Sequence, residues 1–445
     1  MNQRMNIKHK KTCLIGFGLL MTGMILLILL LPFAPTQKLY HAVENHFYDI
    51  RLKDLHRPLG QAPVAILAID QKSIEAEGAW PWSRYQLAKI IDRLHEQKVS
   101  VIGFDMNLLE GKQDIIKGLE HIFSKFSAHQ LDQYDFMALL ENMGVLVDNN
   151  QLIAETMRHS QIVLGSWVRS SNQTIGEFSP PFMTQVHGLN HLPKIEGYEG
   201  NIPVLQQQAT GGILNLTEDK TQVVRTVPLL YEKENDLYAN FALEMARSYL
   251  LTDKTALIVS GKPTKRCIQA IRLDKLNIPT QNNGEIYIPY RGGENTIKQI
   301  SATDLLHGDL SPETLKDYLV IIGLMTPDLG DFYQTPLSKK MSRAEIHAQL
   351  AASLIEGYVP HLIRGAVWIE GVVLLLVGII LSFIMASVSV IRGLAYTLGT
   401  MLFFLVSAHL LWVFGNLYFP IAWILILIVL VYVPHSFTDK NERCE

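Results

Sequence analysis

Two aspartates that end apolar segments are the first residues in the chain whose positions suggest chemistry. Asp70 closes the segment PVAILAID, and Asp105 closes VSVIGFD. Both segments are typical of buried parallel strands, and open parallel sheets bind ligands outside the carboxyl ends of their strands. Asp70 and Asp105 are therefore candidate ligand-binding residues, and together they are candidate ligands for Ca²⁺ or Mg²⁺. The alternative, and the commoner fate of such residues, is that they cap helices and turns.

A loop with two indole side chains, GAWPWSR at 78–84, lies between these two segments. Trp80 and Trp82 would form an aromatic floor for a ligand, with backbone N–H groups of the following helix nearby for an anion. Arg84 ends this loop and joins the candidate ligand-binding residues. The alternative is a hydrophobic plug that fixes the loop.

A second loop, GLMTPDLGDFYQTP at 323–336, follows another apolar segment and is rich in side-chain oxygens. Thr326 and Asp331 are candidate ligand-binding residues here, and His347 follows near the start of a helix. Such a set would suit a hydrolase, but the chain contains no G-x-S-x-G, H-E-x-x-H, P-loop or C-x-x-C motif. We therefore assign no catalytic residue and no cofactor, and a structural role for His347 is the alternative.

The elements that must hold these residues follow an α/β pattern. Strands at 63–70 and 99–105 flank a helix at 83–97, whose apolar side chains recur at helical spacing. This βαβ unit predicts a parallel or mixed sheet flanked by helices, and residues 110–147 read as a polar helical insertion. Further strands are predicted at 162–168, 211–216, 223–231, 267–273, 285–290 and 318–323, and further helices at 149–159, 237–250 and 343–356.

The apolar residues, 48% of the chain, are concentrated in blocks. Charge-poor runs of this length predict four transmembrane helices, at 12–33, 366–387, 393–414 and 417–434. A cleaved signal peptide is the alternative for the first run, but its apolar core is too long and lacks a cleavage site. The stretch 40–55 is amphipathic, which predicts packing on the sheet or an outward continuation of the first membrane helix.

Basic residues predict the orientation in the membrane. The first eleven residues carry four Lys or Arg and no acid, which favours a cytoplasmic N-terminus. Four crossings would place the domain at 35–365 outside and both tails, 1–11 and 435–445, inside, as in a multi-pass inner-membrane protein with a periplasmic domain. The outer domain has more acidic than basic residues, which argues against binding nucleic acid. Cys13, Cys267 and Cys444 would each face a different compartment, so no intrachain disulfide is expected.

Several motifs together resemble the CHASE domain, type 2, a sensor module of bacterial membrane receptors. The resemblance also points to Arg291, within IPYRGG, as a candidate ligand-binding residue, and it implies one membrane helix before the sensor and three after it. Two departures concern the segments 218–222 and 343–344, where the family usually has Asp-Gly and Pro-Gly steps. The matching motifs are AILAID (65–70), GAWPWSR (78–84), VIGFD (101–105), IPYRGG (288–293), SATDLLHG (301–308), LVIIG (319–323) and EIHAQ (345–349).

The resemblance implies signal transduction rather than catalysis. Family members usually continue into a cytoplasmic cyclase or kinase, whereas eleven residues follow Pro434 here; we expect a stand-alone sensor with a separate effector, or a truncated chain. Its ligand would be an unidentified small molecule or envelope protein. Small residues in the membrane helices would permit a homodimer. The alternatives are a structural or adaptor subunit of an envelope assembly and a metal-dependent envelope hydrolase.

Overall fold

The computed structural model describes residues 2–31, 34–55, 59–60, 62–109, 149–189, 191–262, 265–363 and 365–437. The chain divides into two units, Met1–Leu55 with Pro360–Glu445 and His56–Val359. We call the first the membrane unit and the second the sheet unit. The insertion predicted at 110–147 lies outside the described residues, as does Cys444.

The described helices and strands are numbered here in chain order. The helices are α1 Asn2–Leu30, α2 Ala34–Leu55, α3 Gln71–Glu77, α4 Arg84–Glu96, α5 Asn149–Met157, α6 Pro203–Gln206, α7 Phe241–Tyr249, α8 Ala302–His307, α9 Arg343–Ile355, α10 Ala366–Met385, α11 Val390–Gly415 and α12 Ala422–Phe437. The strands are β1 Val64–Ile69, β2 Val101–Phe104, β3 Ile162–Arg169, β4 Thr174–Ile175, β5 Gly197–Glu199, β6 Thr210–Ile213, β7 Thr226–Pro228, β8 Leu230–Lys233, β9 Asp236–Ala239, β10 Thr255–Lys262, β11 Lys265–Leu273, β12 Leu276–Pro279, β13 Glu285–Tyr287, β14 Lys298–Ser301, β15 Leu319–Leu324, β16 Phe332–Tyr333, β17 Met341–Ser342, β18 His361–Leu362 and β19 Leu417–Tyr418.

The sheet unit is built on a parallel sheet in the order β14-β1-β15-β2-β3-β6. At the end of β3 the short strand β5 pairs in the antiparallel direction, so the sheet is mixed. Every residue of β1 and of β2 is buried, which is why these segments are continuously apolar rather than alternating. The predicted α/β class, a parallel or mixed sheet with flanking helices, is confirmed.

Helices cover both faces of this sheet. On one face α4, α5 and α8 contribute to a single apolar core with the side chains of alternate strand residues. On the other face α7 and α9 approach so closely that two strand positions must be glycine. A Cβ on Gly103 would lie 2.5 Å from Met245 Sδ, and one on Gly323 would lie 2.3 Å from Ala344 Cβ. The glycines in VIGFD and LVIIG therefore permit helix–sheet packing.

Two predicted elements are divided in the structure. The predicted helix 237–250 is strand β9 followed by helix α7, because Asn240 accepts a hydrogen bond from Ala242 N (2.9 Å) and so caps the helix at that point. The predicted strand 223–231 becomes β7 and β8, which pair with β13 and β9 respectively. In contrast, the predicted apolar face of α4 is confirmed, since Leu87, Ile90, Ile91 and Leu94 are all buried.

The membrane unit contains three helices long and apolar enough to cross a membrane, within the residues described. They are Lys11–Leu30, Ala366–Met385 and Val390–Gly415. The prediction of a fourth span at 417–434 is wrong. Leu417 and Tyr418 form β19, which pairs with β18, so the helix that follows has only 16 residues. That is about 24 Å of helix, short of the ~30 Å hydrocarbon core.

The predicted membrane topology was derived from four spans, whereas the described residues contain three candidates. Placing both tails in the cytoplasm depended on four crossings and loses that support. The sheet unit, His56–Val359, begins after α2, which groups with the membrane unit. The amphipathic stretch 40–55 is thus part of a continuous helix, Ala34–Leu55.

Candidate functional site

The carboxyl ends of β1, β15 and β2 meet at one edge of the parallel sheet. Asp70 directly follows β1 and Asp105 directly follows β2, as predicted. However, β15 lies between these strands, which separates the two aspartates by two strand spacings, about 10 Å. The structure therefore does not bring Asp70 and Asp105 together. Within the described residues, no three His, Cys, Asp or Glu side chains are grouped so as to hold a metal ion.

Asp70 acts as a helix cap. Its Oδ1 accepts hydrogen bonds from Ser73 N (2.8 Å), Ser73 Oγ (2.7 Å) and Ser301 Oγ (2.8 Å). Ser73 is fully buried. These bonds satisfy the first turn of α3 and join it to the start of α8, which is the capping alternative raised from the sequence.

Asp105 instead lies at the centre of a largely buried group of ionisable side chains, which we call the charge cluster: Asp105, Asp331, Arg343 and His347. Asp105 Oδ2 accepts from Arg343 Nε (3.1 Å), and its Oδ1 contacts His347 Nδ1 (2.7 Å). Arg343 Nη2 donates to the Asp105 carbonyl (2.7 Å), and Nη1 pairs with Asp331. The carboxylates of Asp105 and Asp331 are thus both bound by Arg343, the first residue of helix α9.

The charge cluster has two carboxylates for one arginine, and Asp105, Arg343 and His347 are buried, whereas the side chain of Asp331 is 54% exposed. Burial lowers the pKa of Arg343, but Asp105 and Asp331 raise it above its ordinary value. The guanidinium also lies over the Trp167 ring, 4.5 Å from its centroid. Arg343 is therefore a fixed positive charge around which the carboxyl edge is organised.

His347 and Thr326 both carry buried polar atoms without a partner among the described residues. His347 is fully buried, its ring lies 5.3 Å from that of Phe241, and its Nε2 makes no hydrogen bond there. Thr326 Oγ1 is likewise unpaired, although its carbonyl accepts from Leu329 N and Gly330 N. Buried polar atoms of this kind are uncommon in native structures, and they mark positions where a ligand or water can bind.

An open cleft of about 690 Å³ lies at the same edge, beyond the ends of β3 and β6. Its lining includes Arg169, Lys194, Glu218, Tyr231 and Tyr333. Arg169 is held by Glu199 through two hydrogen bonds of 3.1 and 2.9 Å.

Tyr333 connects this cleft with the charge cluster. It lines the cleft, and its pKa is raised by burial and then by Asp331, while the charge of Arg343 lowers it. Asp105, Asp331, Arg343 and His347 do not themselves line the cleft.

The tryptophan loop packs into the core. Trp82 is 4% exposed, belongs to the apolar core beneath α4, and donates from Nε1 to Gly78 O (2.9 Å). Trp80 packs against the same core, with its ring 5.7 Å from that of Trp82. Arg84 is buried and donates to Leu109 O (2.5 Å). None of the three lines the cleft, so the geometry resembles the hydrophobic plug more than an aromatic floor.

Arg291 lies at the opposite end of α9. It is buried, donates from Nε to Ser353 Oγ (2.9 Å), pairs with Glu356, and lies 4.2 Å above the Tyr358 ring. The side chains of the segment EIHAQ have structural roles at this end of the sheet unit. Glu345 accepts from Thr296 N (2.8 Å) and Gln349 from Arg291 N (2.8 Å), so the helix clamps the loop after β13.

Arg343 was not among the predicted ligand-binding residues, because its position in the sequence stood out only as a departure from the family pattern. Two signals pointed to it. The first is that Asp105 and Asp331 follow or flank buried segments and require a cation. The second is that Arg343 precedes His347 by one helical turn, which places these two side chains on one face of α9. Of the predicted residues, the structure groups Asp105, Asp331 and His347, and leaves Asp70, Trp80, Trp82, Arg84 and Arg291 elsewhere.

Comparison with known proteins identifies one family. The family described as the CHASE2 domain matches residues 22–385. No curated protein and no solved structure matches the chain.

Proposed function

Because the chain belongs to the CHASE2 domain family, whose members are sensory extracytoplasmic domains, we propose that it is a membrane-anchored receptor without catalytic activity. The sheet unit binds a small molecule or an envelope protein at its carboxyl edge. The resulting change in conformation passes through the membrane helices to an effector. We also propose that the basic N-terminal tail is cytoplasmic and that the sheet unit lies outside the inner membrane.

The observation that carries this proposal is the course of helix α9. The helix begins with Arg343 in the charge cluster and ends at Ile355. The next residue, Glu356, pairs with Arg291 and accepts from Ala62 N (3.1 Å). Helix α9 therefore leads from the charge cluster to Glu356, which is bonded to Ala62 near the start of the sheet unit and lies three residues before its last residue, Val359.

A ligand in the cleft would work through this helix. Asp331, 54% exposed at its side chain, is the accessible member of the charge cluster. Drawing Asp331 away from Arg343 would leave Asp105 as the remaining carboxylate for the buried guanidinium, and α9 would shift with its first residue. Coupling of ~1–3 kcal/mol between ligand and helix position is sufficient for signalling.

The test uses the full-length protein in detergent micelles. Thermal unfolding would be measured against amino acids, sugars, nucleotides, dicarboxylates and the chlorides of Mg²⁺ and Ca²⁺. We expect at least one compound to raise the unfolding temperature and to change hydrogen exchange in residues 343–359. R343Q should abolish the exchange response, whereas R93Q, which removes an exposed pair on α4, should retain it.

Two outcomes would contradict the receptor proposal. One is that no compound stabilises the protein while a partner co-purifies stoichiometrically, which would favour a structural or adaptor subunit. The other is a stabilising compound whose effect on α9 survives R343Q unchanged, because the relay would then bypass the charge cluster.

A further inference from the structure

The membrane unit contains two buried carboxyl groups that lie close to each other. Tyr40 of α2 donates to Glu370 Oε2 of α10 (2.9 Å). Glu44 follows Tyr40 by one helical turn on α2, so the two side chains are neighbours on one face, roughly 5–6 Å apart at Cβ. Glu370 therefore faces the turn of α2 that carries Glu44.

Glu44 is well compensated. Its Oε1 accepts from Ala422 N (3.0 Å), the first residue of α12, and its Oε2 accepts from Tyr418 OH (2.9 Å). Burial raises the pKa of Glu44, while these bonds and the charge of Arg51 lower it in part. The N-terminus of α12 favours the ionised form, so Glu44 is the natural place for a negative charge.

Glu370 has much weaker support. It is fully buried, and its Oε1 has no hydrogen-bond partner among the described residues. The side of α10 next to it faces apolar side chains of α1, since a Cβ on Gly371 would contact Leu29 and Leu26. Its one donor, Tyr40, stacks on Trp423 of α12 with ring centroids 6.4 Å apart. A charged carboxylate within a membrane helix is unfavourable even before a second negative charge is considered.

We propose that Glu44 and Glu370 form a proton-binding site of the membrane unit, in which the two carboxyl groups together hold one proton, carried mainly by Glu370. Two like charges in a dry site do not both ionise, and the proton stays on the group with fewer donors. Loss of the proton would place a second negative charge between α2 and α10 and weaken their packing. The site is thus an input for pH that is separate from the cleft of the sheet unit.

The titratable and charged groups around the site set its response. From α2 these are Tyr40, Tyr48 and Arg51, and from β19 it is Tyr418, whose ring lies 5.1 Å from the Arg51 guanidinium. Arg51 is the one cation of this set and lies seven residues from Glu44, on the side away from Tyr40. It therefore supports the charge of Glu44 rather than that of Glu370.

Infrared difference spectroscopy of the full-length protein in lipid nanodiscs tests the proposal. We expect a protonated carboxyl band at neutral pH that is lost in E370Q and retained in D49N, which removes a different carboxylate from α2, the helix that carries Glu44. E44Q removes the neighbouring charge, so the band should disappear at a lower pH than in the wild type. Y40F keeps the carboxyl group but removes its donor, so the band should remain and move in frequency.

The absence of a protonated carboxyl band in the wild type at neutral pH would overturn the proposal. So would a band that is unchanged in E370Q, or one that Na⁺ removes at constant pH, because the site would then bind a metal cation instead. Should E370Q fail to fold, the Y40F frequency shift and the E44Q displacement still decide the question. None of these measurements depends on ligand binding, so their failure leaves the receptor proposal standing.

Discussion

At the residue scale, Asp105 is the side chain that we expect to contribute most to the stability of the carboxyl edge. It is 2% exposed and is the shared partner of Arg343 and His347. We expect D105N to destabilise the sheet unit by about 3–5 kcal/mol, because it leaves a buried guanidinium with a single, exposed carboxylate. Urea-dependent proteolysis of the sheet unit in the full-length protein measures this loss.

The matched control is E96Q, which removes an exposed ion pair of α4. Arg93 and Glu96 are 41% and 61% exposed at their side chains, and such pairs contribute about 0–1 kcal/mol. Equal losses for D105N and E96Q would mean that the charge cluster contributes no more than a surface pair.

A second prediction concerns acid sensitivity at Asp219. Burial raises the pKa of Asp219, but bonds from Thr221 and Val223 and the charge of Arg225 outweigh it, and the net pKa lies below its ordinary value. A lowered carboxylate pKa contributes stability above the unfolded value of ~3.9, and this is lost as pH falls through the folded value. D219N should therefore lower the unfolding temperature at neutral pH, and the difference from wild type should shrink in acid.

Thermal unfolding at two pH values checks the Asp219 prediction. D92N is the control, since Asp92 is exposed on α4. A deficit of D219N that stays constant or grows as the pH falls toward ~3 would contradict the assignment of this acid-sensitive stability to Asp219.

The residues that the sequence could identify were those whose role follows from strand position alone. Asp105 and Asp70 were found because each ends an apolar run, but their different fates depend on β15, which inserts between β1 and β2 from more than 200 residues away. Spacing along the chain carries no information on that insertion. The spacing of Arg343 one helical turn before His347 was visible in the sequence, but its pairing with Asp105 depends on the same sheet order.

At the element scale, helices α1 and α10 interlock through small residues. A Cβ on Gly378 would lie 2.1 Å from Thr22 Oγ1 and 2.9 Å from Thr22 Cβ, and one on Gly18 would lie 2.1 Å from Ser382 Oγ. Thr22 in turn donates to Gly18 O (2.8 Å). The small residues that the sequence offered for dimer formation include Gly378, which is used here within a single chain.

We expect G378A to destabilise the membrane unit by about 1–3 kcal/mol, because Thr22 Cβ, and not only its hydroxyl, must move. The measurement is the fraction of protein that remains monodisperse after heating, determined by size-exclusion chromatography in detergent. Combining T22A with G378A should recover part of the lost stability, because T22A removes the two atoms nearest to the added Cβ.

The control for this pair is G399A on α11, where a Cβ meets nothing within 4 Å. Equal destabilisation by G378A and G399A would show that the loss reflects lipid or backbone effects and not the interlock.

Element boundaries were predictable where caps and apolar periodicity agree. The helix predicted at 83–97 is an example, because its apolar stripe is buried and Ser83 caps its first turn by accepting a hydrogen bond from Gln86 N. The false fourth span shows the limit of hydropathy, because residues 417–434 are apolar throughout, yet Leu417 and Tyr418 find backbone partners in β18. Such pairing between segments more than 50 residues apart leaves no mark in a local window.

At the scale of the whole molecule, the remaining question is on which side of the membrane the sheet unit lies. A crossing by the candidate span Lys11–Leu30 would separate the N-terminal tail from the sheet unit, whatever the number of later spans. The four basic residues of the tail favour the cytoplasm. The orientation can therefore be tested with one site on each side of the first span.

We expect Lys262→Cys, in a variant whose three native cysteines are replaced by serine, to react with a membrane-impermeant maleimide in intact cells. Lys262 is exposed at the end of β10, so its thiol should label without permeabilisation. Gln3→Cys should label only after the membrane is permeabilised. The reverse pattern would place the ligand cleft in the cytoplasm, and the receptor would then read an intracellular molecule rather than the cell's surroundings.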